Sequence, residues 1–94
     1  MSVFVDDARL RYGRMVMFHM IADTPDELHA MAQHIGIARR WYQQDASTPH
    51  YDICLSKRIL ALRHGAWLIT DRRAWVGHLQ RVRANWPTQQ GKWA

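Results

Sequence analysis

The chain has 94 residues, enough for one hydrophobic core and therefore for a single domain. Its 48% share of hydrophobic residues, with five tryptophans among them, excludes intrinsic disorder, because a disordered chain lacks the apolar surface from which a core is built. The formal net charge of +5 favours an anionic ligand, such as a phosphate-bearing small molecule or a nucleic acid.

Three features that bear on location predict a cytoplasmic protein without membrane contact. The most apolar run, Met15–Ala22, is interrupted by His19 and falls far short of the roughly 18 residues of a membrane span. The first residues lack the basic-then-apolar order of a signal peptide. The single cysteine, Cys54, has no partner for an internal disulfide, as is usual in a reducing compartment.

The start of the chain predicts two strands. Val3–Val5 is a short apolar run closed by two aspartates, which is typical of a strand and its end. Met15–Ala22 is apolar on both faces, as expected of a strand buried between two layers. Residues 8–14, which contain the pair Tyr12-Gly13, predict a loop between these strands.

A capping box predicts the first helix. Thr24 is placed to cap it, Pro25 occupies the first turn, and Glu27 completes the box, because this order satisfies the free N–H groups at a helix start. Gly36 is placed to end the helix in a left-handed conformation. Between them, apolar residues repeat at helical spacing: Leu28, Met31, Ala32 and Ile35.

The middle of the chain alternates extended and helical patterns. Arg39–Gln43 predicts a short strand, and residues 44–49 predict a polar loop that leads into the extended segment His50–Ile53. A second helix is expected from about residue 54 to residue 64, since its apolar residues keep helical spacing. Ala66–Ile69 then predicts a compact apolar strand.

A third helix is expected after this strand. Thr70 or Asp71 is placed to cap it, and Pro87 is expected to end it, because proline cannot continue the hydrogen-bond pattern of a helix. The predicted organisation is therefore one domain over residues 1–86, followed by a loose tail over residues 87–94.

The order of these segments predicts an α/β fold. Strands that alternate with helices favour a small, mostly parallel, Rossmann-like sheet, here of about four strands, with three helices packed on it in two or three layers. In such sheets ligands bind outside the carboxyl ends of the strands. Polar residues at those ends are therefore the first candidates for a site.

Histidines and aspartates gather at the predicted strand ends. His50 and Asp52 are two residues apart on an extended segment, so both side chains leave the same face. Together with His19 and Asp7 they would supply imidazole and carboxylate ligands for a divalent metal ion. His50, Asp52 and His19 could equally act as a catalytic acid–base group without a metal.

Each of these candidates has a structural alternative. Asp23 and Asp71 stand where helix caps belong, and an aspartate pair after Val5 could simply close a strand. His19, on an apolar strand, could be a core histidine that hydrogen-bonds a backbone carbonyl. The sequence contains no glycine-rich phosphate loop, C-x-x-C pair or H-E-x-x-H motif, which argues against dinucleotide enzymes, P-loop NTPases, zinc ribbons and zincins.

The basic residues favour a phosphate-bearing ligand. Residues 51–94 carry eight basic residues against two acids, whereas residues 1–50 carry five against six. Arg72 and Arg73 at the start of the third helix, with Arg14 and Tyr51, are the candidate substrate-binding residues, since a helix N-terminus and arginine both bind phosphate. The predicted function is a hydrolase-like site acting on such a substrate. The alternative is a non-catalytic module that binds nucleic acid or protein through the basic half.

Several blocks of the sequence resemble one family. These blocks are Val-Asp-Asp-Ala-Arg (5–9), Gly-Arg (13–14), His-Met-Ile-Ala-Asp-Thr (19–24), Asp-Glu-Leu-His-Ala-Met-Ala (26–32), His-Tyr-Asp (50–52) and Ala-Leu-Arg-His-Gly-Ala (61–66). Together they resemble the domain of unknown function 4031 family of small bacterial and phage proteins, over about residues 3–80. The resemblance implies a stand-alone cytoplasmic α/β domain and supplies no catalytic residue.

Overall fold

A computed structural model describes the backbone of residues 2–91 and the side chains of residues 2–85. Within residues 2–91, six strands, three α-helices and one 3₁₀ turn follow one another. In order they are β1 (Val3–Val5), β2 (Leu10–Tyr12), β3 (Met15–Ala22), α1 (Pro25–His34), the 3₁₀ turn (Arg39–Trp41), β4 (Tyr42–Gln43), β5 (His50–Cys54), α2 (Leu55–Arg63), β6 (Trp67–Leu68) and α3 (Arg72–Gly91).

The strands form one sheet in the order β4-β5-β3-β1-β6, with β2 also paired to β3. β3 pairs antiparallel with β1, β2 and β5, and β4 pairs antiparallel with β5. β1 and β6 pair in parallel. The α/β class is confirmed, but the prediction of a mostly parallel sheet of about four strands is wrong. Residues 6–14 are too short for the crossover of a dozen or more residues that parallel neighbours need, so β1 and β3 must run antiparallel.

The two faces of the sheet are covered by different helices. Phe18 and Met20 of β3 are almost completely buried and share the face that packs on α1 and α2, where Arg58 of α2 lies over the Phe18 ring. The alternate residues of β3 face α3. Ile21 of β3 pairs with Phe4 of β1, and the Phe4 ring stacks on His78 of α3. This strand alternation decides which polar side chains can meet.

Local capping explains why α1 forms where the sequence predicts it. Thr24 Oγ1 accepts a hydrogen bond from the Glu27 backbone N–H at 3.2 Å. At the other end, Gly36 adopts a φ of +80°, a left-handed conformation that favours glycine. Ile37 N–H then donates to the Ala32 carbonyl oxygen at 2.8 Å. The predicted first helix is therefore confirmed.

Other boundaries differ from the sequence-based expectation. Part of the predicted loop over residues 8–14 is strand β2, and Arg39–Gln43 divides into the 3₁₀ turn and the short strand β4. α3 begins after Asp71, whose Oδ2 accepts a hydrogen bond from Ala74 N–H at 2.9 Å, and it continues past Pro87. The division of the chain after residue 86 stays a prediction, and the end of the predicted tail, residues 92–94, lies outside the described residues.

Within residues 2–91, no helix is both long enough and apolar enough to cross a bilayer.

Candidate functional site

Strand pairing brings two histidines and two aspartates together on the α3 face of the sheet. His19 lies directly opposite Asp52 in the pairing of β3 with β5. His50 is two residues before Asp52 on β5, so it faces the same way. On the other side of β3, Asp6 follows β1 and donates its backbone N–H to the His19 carbonyl oxygen at 3.1 Å. Three of the four side chains therefore lie on the adjacent strands β3 and β5, and the fourth lies on the residue that follows β1.

Asp6 holds His19 at two points. Asp6 Oδ2 lies 2.6 Å from His19 Nδ1, and Asp6 Oδ1 accepts the His19 backbone N–H at 2.8 Å. The Asp6 side chain is only 6% exposed. The Asp6 side-chain hydrogen bond raises the pKa of His19 above its usual value, more than burial lowers it, and the nearby carboxylates add to the rise. Burial by itself would raise the pKa of Asp6, but its hydrogen bonds with His19 lower it overall.

His50 is oriented in a similar way by a backbone group. Its Nδ1 lies 2.8 Å from the Thr48 carbonyl oxygen, and because a carbonyl only accepts hydrogen bonds, Nδ1 carries a proton. The Nε2 atom is therefore directed toward Asp52. The His19 and His50 rings meet nearly edge to face, with centroids 5.1 Å apart.

The two Nε2 atoms converge on one oxygen of Asp52. Asp52 Oδ1 lies 3.2 Å from His50 Nε2 and 3.8 Å from His19 Nε2. This oxygen is buried, yet among the described residues no donor meets it in hydrogen-bonding geometry. A neutral His50 would turn the lone pair of its Nε2 toward the carboxylate, and two electron-rich groups at this distance repel. A cation between them, or a proton on Nε2, removes that repulsion.

The spacing of these atoms suits a divalent metal ion. One ligand atom from each of His19, His50 and Asp52 lies within 4.8 Å of the other two. Ligands of a tetrahedral zinc ion, each about 2.0–2.2 Å from the metal, lie about 3.3–3.6 Å apart, close to the 3.2 and 3.8 Å from Asp52 Oδ1 to the two Nε2 atoms. Each histidine also has its Nδ1 held by an acceptor, the arrangement that orients metal-binding imidazoles. Three protein ligands leave a coordination position open for water, as in catalytic zinc sites.

A small cavity opens beside the two histidines. Its volume is about 140 Å³, and His19, His50, Thr48 and Arg83 are among the residues that line it. The Arg83 side chain donates from Nε and from a terminal nitrogen to Thr48 Oγ1, each at 3.3 Å. A guanidinium at the wall of this cavity can bind an anionic group next to the His–Asp cluster.

Two of the predicted site residues lie elsewhere for clear structural reasons. Asp7 Oδ1 accepts a hydrogen bond from Arg58 at 3.1 Å and pairs with Arg9 at 3.2 Å, so Asp7 contacts arginines and not the histidines. Tyr51 is completely buried on the opposite face of the sheet, where its hydroxyl lies 2.8 Å from His29 Nδ1. A residue between His50 and Asp52 on a strand must face the other way.

Within the described residues, the predicted phosphate-binding arginines are not part of the lining of the cavity beside the cluster. Arg14 is exposed in the turn between β2 and β3, and five residues along a strand separate it from His19 by about 16 Å. Arg72 and Arg73 are exposed in the first turn of α3. The role of these three arginines in phosphate binding therefore stays a prediction.

Asp6 and Arg83 were not among the predicted site residues, although the sequence contains a signal for each. Val3 and Val5 alternate with Phe4 on β1, and the same alternation puts Asp6, not Asp7, on the face of His19. Arg83 is eight residues after Trp75, which places it on one stripe of α3 with residues that line the cavity. Strand and helix periodicity would therefore have indicated both residues once the α3 face was known.

These features define an α/β protein whose candidate site is a histidine–carboxylate cluster on the face of a mostly antiparallel sheet. Residues 3–82 match the family model described as Protein of unknown function (DUF4031). The chain belongs to this family, and the resemblance seen in its sequence is confirmed. No curated protein and no solved structure gives a significant match.

The Asp6–His19 pair makes stability depend on pH in two directions. The pKa of Asp6 is lowered from 3.8 in the folded protein, so its contribution to the free energy of unfolding is present above that pH and is lost as the pH falls through the folded pKa. The pKa of His19 is raised from 6.5, so its contribution is complete below that pH and is lost as the pH rises through the folded pKa. The pair is therefore most stabilising between these two values.

Replacing Asp6 by asparagine should lower the pKa of His19 toward 6.5. At about pH 5.5 the free energy of unfolding should fall by about 1.5–3 kcal/mol, the range for a hydrogen bond to a charged group. The loss should shrink at alkaline pH, where His19 is neutral in both proteins. NMR titration of the His19 ring and urea denaturation measure the two effects, with Asp45→Asn in an exposed loop as the control. Equal losses at acid and alkaline pH would contradict the ion pair.

Proposed function

We propose that this protein is a metal-dependent hydrolase that acts on a small phosphate-bearing substrate. His19, His50 and Asp52 would hold a divalent ion of the zinc or manganese type. The observation that carries the proposal is the convergence of two Nε2 atoms on a buried carboxylate oxygen that has no hydrogen-bond donor among the described residues. A cation is the group that satisfies all three atoms at once.

The residues around the proposed ligands have distinct roles. Asp6 and the Thr48 carbonyl hold the Nδ1 atoms of the two histidines at 2.6 and 2.8 Å, which orients the rings and increases the basicity of Nε2. A bound divalent ion lowers the pKa of a coordinated water and stabilises negative charge on a phosphoryl oxygen. The Asp52 side chain is 39% exposed although its Oδ1 atom is buried, so solvent reaches the edge of the cluster at the rest of this carboxylate.

Arg83 is the residue that would bind the phosphate. Its guanidinium stands at the wall of the 140 Å³ cavity that His19 and His50 also line. Two of its nitrogens contact a neutral hydroxyl and not a carboxylate, so its charge is not neutralised by that contact. Arginine binds phosphate oxygens through two parallel hydrogen bonds, which would hold the phosphorus next to a metal-bound water.

The alternative function is a non-catalytic module that binds nucleic acid or protein through the basic half of the chain. The contacts of two arginines in this half weaken that alternative. Arg58 is buried and bonds Asp7, and Arg81 bonds Asp23. Less cationic surface is then available for a polyanion than the net charge indicates, whereas the histidines and Asp52 are concentrated at one point.

Metal titration tests the proposed function. The metal-free protein should bind one equivalent of Zn²⁺ or Mn²⁺ in calorimetry, and His50→Gln should weaken binding by at least about 100-fold, because it removes one of three ligands. Hydrolysis of p-nitrophenyl phosphate should require the metal and should be lost in the same variant. His64→Gln is the matched control, since His64 is an exposed histidine at the end of α2.

The results that would contradict the proposal are equally specific. Equal metal affinity in the original protein and in His50→Gln would show that His50 is not a ligand. Salt-sensitive binding of nucleic acid, in a protein that binds no metal, would instead support the non-catalytic alternative, because the release of counterions makes such binding fall steeply with salt.

A further inference from the structure

A second, larger cavity adjoins the other side of the His–Asp cluster. Its volume is about 540 Å³, within the range of sites that bind drug-sized molecules. We call it the Trp41 groove. Its lining includes side chains from the β2–β3 hairpin, the 3₁₀ turn and the end of β5: Tyr12, Met15, Met17, Trp41, Asp52 and Cys54.

The walls of the groove carry large apolar side chains that are exposed to solvent. Trp41 is 56% exposed, Tyr12 72% and Met15 47%. Isolated exposed apolar residues are common on proteins, but an exposed group that lines one concave surface indicates a binding site. These side chains come from separate segments, so the fold, and not one amphipathic stretch, brings them together.

The groove is continuous with the proposed metal centre through Asp52. This residue supplies one proposed ligand atom and also lines the groove. Trp41 immediately precedes β4, whose Tyr42 pairs with Tyr51 on β5, and Trp41 lines the same groove as Asp52. The 140 Å³ cavity with Arg83 lies on the histidine side. The cluster therefore stands between a small cavity with a cationic wall and a larger, mainly apolar groove.

We propose that the Trp41 groove binds a planar aromatic group, and that the substrate is an aromatic phosphoester, such as one that carries a nucleobase. This inference rests on the proposed function, because the phosphate would be held at the cluster while the ring lies on Trp41. Indole is a favourable surface for ring stacking, and the sulfur atoms of Met15 and Met17 make favourable contacts with aromatic rings. A single phosphate group would leave the groove unfilled.

The charges at the groove favour a small anionic ligand over a second copy of the chain. Arg40 and Lys57 line the groove, and the Arg40 guanidinium lies 5.3 Å from the centre of the Trp41 ring. A two-fold symmetric dimer formed through this face would bring two sets of the same cations into one interface, and like charges repel. An aromatic ring that carries a phosphate is attracted by these cations and also stacks on the indole.

A comparison of two non-hydrolysable phosphonates tests the inference. 1-Naphthylphosphonate and methylphosphonate share the anionic group and differ in the ring, so the ratio of their dissociation constants isolates the ring. We expect the naphthyl compound to bind at least about tenfold more tightly, the low to middle range for stacking on an aromatic side chain. The ratio should fall close to one in Trp41→Ala and should be kept in Trp67→Ala, an exposed tryptophan at the opposite edge of the sheet.

NMR titrations with and without Zn²⁺ separate this inference from the proposed function. Metal-dependent binding of both phosphonates with a ratio near one would overturn the aromatic groove and leave the metal centre intact. A Trp41-dependent ratio in a protein that binds no Zn²⁺ would support the groove and contradict the proposed function. A protein that is dimeric, becomes monomeric in Trp41→Ala and shows no ring preference would assign the groove to a second copy and overturn the inference.

Discussion

Replacing Arg58 by methionine should lower the free energy of unfolding by about 3 kcal/mol, because it removes the hydrogen bonds to the Asp6 carbonyl oxygen and to Asp7, which then keeps only its exposed partner Arg9. Arg58 is only 9% exposed and donates to the Asp6 carbonyl oxygen at 3.0 Å and to Asp7 Oδ1 at 3.1 Å. Its guanidinium also lies 3.8 Å from the centre of the Phe18 ring. Methionine keeps part of the apolar contact, so the lost polar contacts dominate the expected effect.

Urea denaturation of this variant measures the loss directly. A domain of this length has a free energy of unfolding of about 5–14 kcal/mol, so the expected change is a large fraction of it. Arg63→Met is the matched control, since Arg63 is exposed on the same helix and should change stability by less than about 0.5 kcal/mol. A loss below about 1 kcal/mol for Arg58→Met would show that water replaces the arginine at Asp7.

The same arginine connects the fold to the candidate site. Arg58 reaches from α2 to the segment that follows β1, and this segment presents Asp6 to His19. A folded Arg58→Met protein should therefore also bind Zn²⁺ more weakly, by about tenfold, the lower end for changes around metal ligands. An unchanged affinity would show that the hydrogen bonds of Asp6 with His19 are sufficient to position the carboxylate.

Replacing Asp52 by asparagine should remove zinc binding and leave the stability of the metal-free protein nearly unchanged. Without metal, the free energy of unfolding should change by less than about 1 kcal/mol, because Asp52 Oδ1 accepts no hydrogen bond from the described residues. With Zn²⁺ at 100 times its dissociation constant, the original protein should gain about 2.7 kcal/mol, since the ion binds only the folded state. Asp52→Asn should not show this gain, because it lacks the carboxylate ligand.

Thermal denaturation with Zn²⁺ and with a chelator gives both values for this variant. Asp45→Asn, in the exposed loop before β5, should be stabilised by the ion as much as the original protein. A large loss of stability in metal-free Asp52→Asn would assign Asp52 a structural role. A full zinc response in that variant would show that the ion binds elsewhere.

Local sequence patterns were sufficient for the first helix and for part of the candidate site. The capping residue Thr24 and the glycine at position 36 act within one or two turns of α1, so no distant segment is needed to place them. The shared face of His50 and Asp52 follows from their spacing of two on a strand. A capping signal was equally reliable at Asp71, which bonds Ala74.

The relative direction of the strands is the feature that the sequence predicted wrongly. Parallel strands would gather the histidines and aspartates at the strand ends, whereas the antiparallel strands of the structure bring His19 and Asp52 together by direct cross-strand pairing. The two arrangements predict different neighbours. Asp7 and Tyr51 were expected at the cluster, but Asp7 contacts Arg58 and Tyr51 lies on the opposite face. Family membership could be read from the sequence because it depends on residue identity and not on geometry.

The amino-acid sequence by itself determined the periodicity of each segment, the caps of its helices and which residues of one strand share a face, because these depend on interactions between residues close together in the chain. Only the tertiary structure decided which strands are neighbours and in what register. That choice depends on how both faces of the sheet are covered by helices, a long-range requirement that no local pattern encodes. The meeting of His19 with Asp52 and Asp6 was therefore decided by the fold.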